Sequence, residues 1–358
     1  MKRKLVHRQS AGFSLIELMV GMVIALIGVL VIFQVFAVSE KYKRTSTSGS
    51  DAQQNGSIGL FTIERDLRMA GYGLADTTLL GCTVRAYNET RTPQDFTFTF
   101  RPLFITQGAG NNATTGVGQA SDSIEVSYGN SGMGMAYVDL TQNMPSPSSV
   151  YKVSNRFGFR EGDLIIVAEA GKDCTLAEVT GLPGTPGQTD NAIHNSGNYT
   201  NASGANVPAN YNKPAGLGIS YTTNARVYNL GSLPTTNIYS IQNNSLAVNS
   251  TFTGTTLDIA DNIVNIQAVY CKDTINTPPA AIDTCDAVAP ASYDRVLAVQ
   301  VGIVARSAKP ERECNVTANS NIPWIGGVFD LSADPNWQCY RYKVFQTTVP
   351  LRNMIWRP

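Results

Sequence analysis

The chain has 358 residues with 27 basic and 27 acidic side chains, so it carries no net charge. That balance excludes a nucleic-acid binder held by a basic face. Two histidines, and six cysteines of which none forms a CxxC pair, exclude a Cys/His zinc site.

Residues 1–12, MKRKLVHRQSAG, hold Lys2, Arg3, Lys4 and Arg8 and no acid. The run from Leu18 to Val38 then has no charge, and Gln34 is its one strongly polar member. As a helix it rises about 32 Å, enough to cross a hydrocarbon core. The basic residues before it place the N-terminus in the cytoplasm. The rest of the chain then lies across the membrane, in a compartment where an even cysteine count reads as disulfides. An ordinary secretory signal would put its small-residue cleavage site after the apolar run. Here Ser10-Ala11-Gly12 stand before it, and Glu17 interrupts the apolar sequence just inside it. A carboxylate at membrane depth costs several kcal/mol unless paired, which marks it as functional. Cleavage after Gly12 makes Phe13 the new N-terminus, one helical turn before Glu17. Gly21, Ala25 and Gly28 share one helix face at a spacing that lets helix backbones approach in lipid.

Residues 45–50, TSTSGS, read as a weak helical stretch, with the helix resuming through 51–73. Leu60, Ile63, Leu67 and Ala70 make an apolar face that should pack on a sheet. Glu64 and Arg68 form a favourable i,i+4 pair, and Gly71 or Gly73 should stop the helix. Beyond it come strand signals: 96–100, 121–128, a hairpin over 162–181 turning at 170–173, and a central strand over 261–271. In 293–307, Leu297, Val299, Val301 and Ile303 fall on one face, and 342–353 closes the sheet. Arg156 and Arg160 flank Phe157 and Phe159 on a further expected strand. The Gly/Asn/Pro-rich stretch 182–218 reads as a long loop, either a solvated excursion or a contact surface.

Catalytic patterns are missing. The Gly-rich run 108–118 lacks the GK[ST] ending of a phosphate loop, no GxSxG occurs, and His194 reads as a solvated loop residue. No metal-ligand spacing and no cofactor motif is present, so the chain is not expected to be an enzyme. Six cysteines allow fifteen pairings. Cys271–Cys285 and Cys314–Cys339 would each close a short loop between strands, which leaves Cys82–Cys174 to tie the helix exit to the hairpin.

GFSLIELMVGMVIAL, residues 12–26, resembles the type III signal of type IV pilins and type II secretion pseudopilins. The resemblance implies that prepilin peptidase cuts after Gly12, that the amine of Phe13 is methylated, and that Glu17 recruits the subunit into a filament. Major pilins commonly carry a helix-kinking Pro where this chain has Gln34; its absence and the chain's length point to a minor pilin. EKYKR…IERDLRMAGYG, GDLIIV…DCTLAEVTG, VLAVQVGIVARS and VFQTTVPLRN resemble, in that order, the PilW branch of minor pilins. The implied fold is α+β: a leader over 1–12, a transmembrane helix over 13–38, its periplasmic continuation over 39–73, and a large antiparallel β head over 74–358. The implied function is priming of pilus assembly near the fibre tip, with a large pseudopilin of type II secretion as the alternative. Implied partners are prepilin peptidase, other minor pilins, the major pilin, a tip adhesin and the inner membrane.

Overall fold

The apolar run and the amphipathic run that follows it form one element. In a computed structural model, which describes residues 14–73, 76, 78–108, 120–132, 137–185, 187, 190–275, 280–311, 313–332 and 334–355, α1 runs unbroken over Leu15–Met69. The interruption expected at 45–50 is therefore absent. Ser, Thr and Gly each cost about 1 kcal/mol or less in a helix, no Pro intervenes, and strong helix on both sides propagates through. The helix stops where Gly71 and Gly73 take φ of +78° and +77°, left-handed values that only glycine adopts freely. The Gly71 N–H donates to the Ser127 carbonyl at 3.0 Å, which fastens the exit to the head.

Contacts divide the chain into two units, Met1–Asp51 and Ala52–Pro358. The second is β-rich. Its strands begin with β1 (Thr83–Tyr87), β2 (Asp95–Thr99), β3 (Leu103–Thr106), β4 (Ser123–Tyr128), β5 (Val138–Asp139) and β6 (Tyr151–Lys152). They continue with β7 (Leu164–Ala168), β8 (Cys174–Glu178), β9 (Asn191–Ala192), β10 (Asn198–Thr200), β11 (Asn206–Pro208), β12 (Arg226–Gly231) and β13 (Thr235–Gln242). The last are β14 (Ser245–Ser250), β15 (Thr256–Asp261), β16 (Ile263–Lys272), β17 (Thr284–Asp286), β18 (Val296–Arg306), β19 (Asn321–Trp324), β20 (Gly327–Asp330) and β21 (Tyr342–Pro350).

Three sheets dominate, in the orders β2-β1-β8-β7-β12-β5, β15-β14-β13-β4-β3 and β17-β16-β18-β21. Nearly all their pairs are antiparallel, with β1 and β8 parallel. The six-stranded sheet is covered on both faces, which is why its middle strands read as continuous apolar runs. Leu164, Ile166 and Ala168 of β7 enter one core, and Ile165 and Val167 enter another. The other two sheets share a core with the second half of α1. Ala52, Ile63, Leu67 and Ala70 are buried there among Ile124, Tyr239, Leu246, Ile266, Val301 and Ile303. Gly59 permits this approach, because a Cβ on it would lie 3.1 Å from Leu246 and 3.3 Å from Ile303. The β19–β20 hairpin closes the far face of the four-stranded sheet through Trp324, Phe329 and Leu331.

Four further sequence expectations need correction. β18 carries an extra residue opposite β16: Ala298 faces Cys271 and Val296 faces Lys272, with Leu297 between them. This bulge flips the alternation, so Val296 and not Leu297 joins the core with Val299, Val301 and Ile303. The stretch 182–218 is not structureless, since it contains β9 and the β10–β11 hairpin. Residues 154–160 turn rather than extend: Phe159 is buried, Phe157 is exposed, and Arg156 pairs with Asp190 at 3.6 Å. His194 is not a free loop residue. Its ring stacks on Tyr151 at 4.2 Å and its Nε2 lies 2.9 Å from the Ser149 carbonyl, and burial lowers its pKa.

Candidate functional site

The first turn of α1 carries the feature with clearest chemical meaning. Leu18 N–H donates to the Ser14 carbonyl at 3.1 Å, closing that turn around Glu17. An acid at a helix N-terminus is favoured by the helix dipole. Every residue from 14 to 43 is exposed, including Leu15, Ile16, Leu18, Phe33 and Phe36. Glu17 is the one charged residue between Ser14 and Ser39. The helix is long and apolar enough to cross a membrane. Gly21 and Gly28 have open space where a Cβ would stand. Gly12 and Phe13 lie outside the described residues, as does most of the Gly-rich run 108–118.

The second half of α1 holds a polar site that sequence reasoning missed. Asp66 is fully buried on the face that carries Ile63 and Leu67. Its carboxylate accepts hydrogen bonds from Tyr239 Oη at 2.6 Å, Asn237 Nδ2 at 2.9 Å and Tyr128 Oη at 3.2 Å. Arg65 adds an ion pair at 3.1 Å. Burial, reinforced by the Asp66 charge, raises the pKa of the Tyr239 hydroxyl, and burial also raises that of Tyr128. Both phenols therefore stay protonated and donate. The signal available in the sequence was an acid three residues after Ile63 on an otherwise apolar stripe. On the outer face, Arg68 Nε donates to Glu64 at 3.1 Å, the expected i,i+4 pair.

Three disulfides brace the head. Cys82 joins Cys174, Cys271 joins Cys285, and Cys314 joins Cys339. The first links the entry of β1 to the start of β8, beside their parallel pairing at Val84 and Cys174. The second joins directly opposed residues of β16 and β17. The third links the segment after β18 to the turn before β21. Among the described residues no group of three His, Cys, Asp or Glu side chains could hold a metal ion.

Two comparisons bear on this arrangement. The family described as Type IV Pilus-assembly protein W matches residues 227–353, which include most of β12 and all of the two sheets' strands from β13 to β21. The Prokaryotic N-terminal methylation motif matches residues 7–33. No curated protein and no solved structure gives a significant match. A methylation motif leading into a membrane-length helix, followed by a disulfide-braced β head that carries the pilus-assembly match, supports a type IV pilin-like protein.

Proposed function

We propose that the chain is a minor pilin that joins other minor pilins in the inner membrane, primes pilus assembly and remains at the fibre tip. It is a substrate of prepilin peptidase, cut after Gly12 and methylated on Phe13, and has no catalytic role of its own. Its N-terminus starts in the cytoplasm and its head faces the periplasm. The major pilin and a tip adhesin are its further partners.

The observation that carries this reading is Glu17, a lone charge in an exposed apolar helix one turn from the amine that cleavage would create. Within lipid, attraction between that carboxylate and an amine on a neighbouring helix is strong because the dielectric is low. The match to a pilus-assembly family favours the pilus over a type II secretion pseudopilin, which would share the same first helix. The test separates processing from recruitment. Glu17→Ala should yield mature protein beginning at Phe13 but lose co-purification with partner pilins, by about tenfold for each 1.4 kcal/mol of lost pairing. Gly12→Val serves as the uncut control. Unchanged co-purification of mature Glu17→Ala would remove the recruiting role.

A further inference from the structure

The apolar run of α1 ends at Val38 and passes directly into Ser39-Glu40-Lys41-Tyr42-Lys43-Arg44, still helical. Three basic residues therefore follow the span within six positions, against the single acid Glu40. Along the axis Lys41 and Arg44 stand about 4.5 and 9 Å beyond Val38. The headgroup layer adds about 5–8 Å on each side of the hydrocarbon core, so these positions cross it. Lys41, Tyr42 and Lys43 are all exposed, Tyr42 at 74%. Among the described residues neither Lys41 nor Lys43 has an ion-pair partner. Tyrosine is enriched at this depth, where its ring meets lipid and its hydroxyl meets water.

The side of the membrane on which this cluster falls is informative. With the N-terminus in the cytoplasm, residues 39–44 emerge on the periplasmic side, where the charge bias of membrane proteins disfavours Lys and Arg. Cations held there need an interaction that offsets the bias. Solvent alone supplies none, and the helix itself offers only Glu40.

Helix geometry narrows the partner. Successive positions are about 100° apart, so residues 41 to 44 circle the helix instead of forming one stripe. A docked protein covers one face of a helix, whereas headgroups surround it on every side. Lys and Arg attract phosphate, and an anionic headgroup keeps a net charge that a zwitterionic one lacks. We infer that residues 41–44 form a collar that binds anionic phospholipid headgroups in the periplasmic leaflet of the inner membrane. This rests on the reading of α1 as a membrane anchor and adds the chemistry of the lipid it meets.

The test uses the full chain. It is first inserted into phosphatidylcholine vesicles and washed with alkaline carbonate. Retention is expected, and release of the parent would remove the anchor and the collar together. The chain is then taken into a neutral detergent and titrated with phosphatidylglycerol or phosphatidylcholine of the same acyl chains, with bound lipid counted by native mass spectrometry. Tighter binding of phosphatidylglycerol is expected. Lys41→Gln, Lys43→Gln and Arg44→Gln combined should lower that preference by about fivefold for each cation that meets a headgroup. Lys152→Gln, Arg160→Gln and Lys309→Gln combined remove the same charge from exposed positions of the head and should bind as the parent does. The basic residues of 1–12 are common to all three chains and cancel in the comparison. A retained parent with no preference for phosphatidylglycerol, a collar variant that keeps the parental preference, or an equal loss in the head variant would each overturn the collar and leave the membrane anchor standing.

Discussion

Asp66 shows how one residue can fix a helix to a sheet. It lies in the last turns of α1, where the dipole disfavours an acid, and it is fully buried. Both costs are offset by donors from two neighbouring strands: Tyr128 of β4, and Asn237 and Tyr239 of β13. Because these donors are directional, only one rotation of α1 satisfies them all. Asp66→Ala should therefore destabilise the fold by about 3–5 kcal/mol, the cost of breaking a buried charged network. Tyr239→Phe, which removes one bond to the carboxylate, should cost about 1.5–3 kcal/mol. Denaturant midpoints of both variants give the comparison. If Asp66→Ala is no worse than Tyr239→Phe, the carboxylate does not organise the junction. The sequence places Asp66 on the buried stripe but could not reveal its partners, which lie 62 to 173 residues further along. Glu17 was legible for the opposite reason: the leader, the apolar run and the acid are contiguous, and their meaning is local.

Among the strands, β18 is the most constrained. It lies between β16 and β21 and is apolar on both faces, one toward α1 and one toward the β19–β20 hairpin. On the hairpin side it has Gly302, over which Trp324 and Phe329 pack with ring centroids 5.5 Å apart. A methyl at Gly302 would lie 2.7 Å from Trp324 Cε3 and 3.0 Å from Phe329 Cζ. Gly302→Ala should thus destabilise by about 1–3 kcal/mol through overpacking, although alanine alone suits a strand better than glycine. Trp324→Phe should recover part of that loss. A double-mutant cycle reads the coupling, and simple additivity would show that the ring does not press on Gly302. Long strands such as β16, β18 and β21 could be read from sequence because each runs nine residues or more. Two-residue strands such as β6 and β9 could not, since alternation needs several residues to register. The bulge at Leu297 was equally hidden: it is a property of pairing with β16, and one extra residue leaves an apolar run looking unbroken. Even the continuity of α1 depends on cooperativity between its halves, which local propensity over 45–50 understates.

At the scale of the molecule, the two units are stabilised by different solvents. The first exposes its apolar side chains from Leu15 to Val38 and requires lipid or other helices around it. The second closes its own cores, and its sheets are tied to one another by polar contacts that respond to pH. Asp122 is one of these ties. It is 1% exposed, and its carboxylate accepts from Gly108 N–H, just beyond β3, and from Ala268 N–H of β16, both at 3.0 Å. It thereby joins the five-stranded sheet to the four-stranded one. Burial raises its pKa to about 6, opposed by those two hydrogen bonds. In the unfolded chain the value is near 3.9. The folded state therefore holds its proton more tightly than the unfolded one. Stability from this group is fully present below about pH 4 and is lost as pH rises through the folded pKa. Two pKa units correspond to roughly 3 kcal/mol. Other groups titrate alongside it: His194 is kept neutral by burial and loses stability on acidification, while burial raises Glu178 as it does Asp122. Subtracting the unfolding free energy of Asp122→Asn from that of the parent removes these common contributions. The amide also loses one acceptor, but that offset does not vary with pH. Measured from pH 7 down to pH 4 with disulfides intact, the parent should gain roughly 3 kcal/mol relative to the variant, mostly between pH 6 and 4. A flat difference across that range would mean that the carboxylate between the two sheets is not shielded from water.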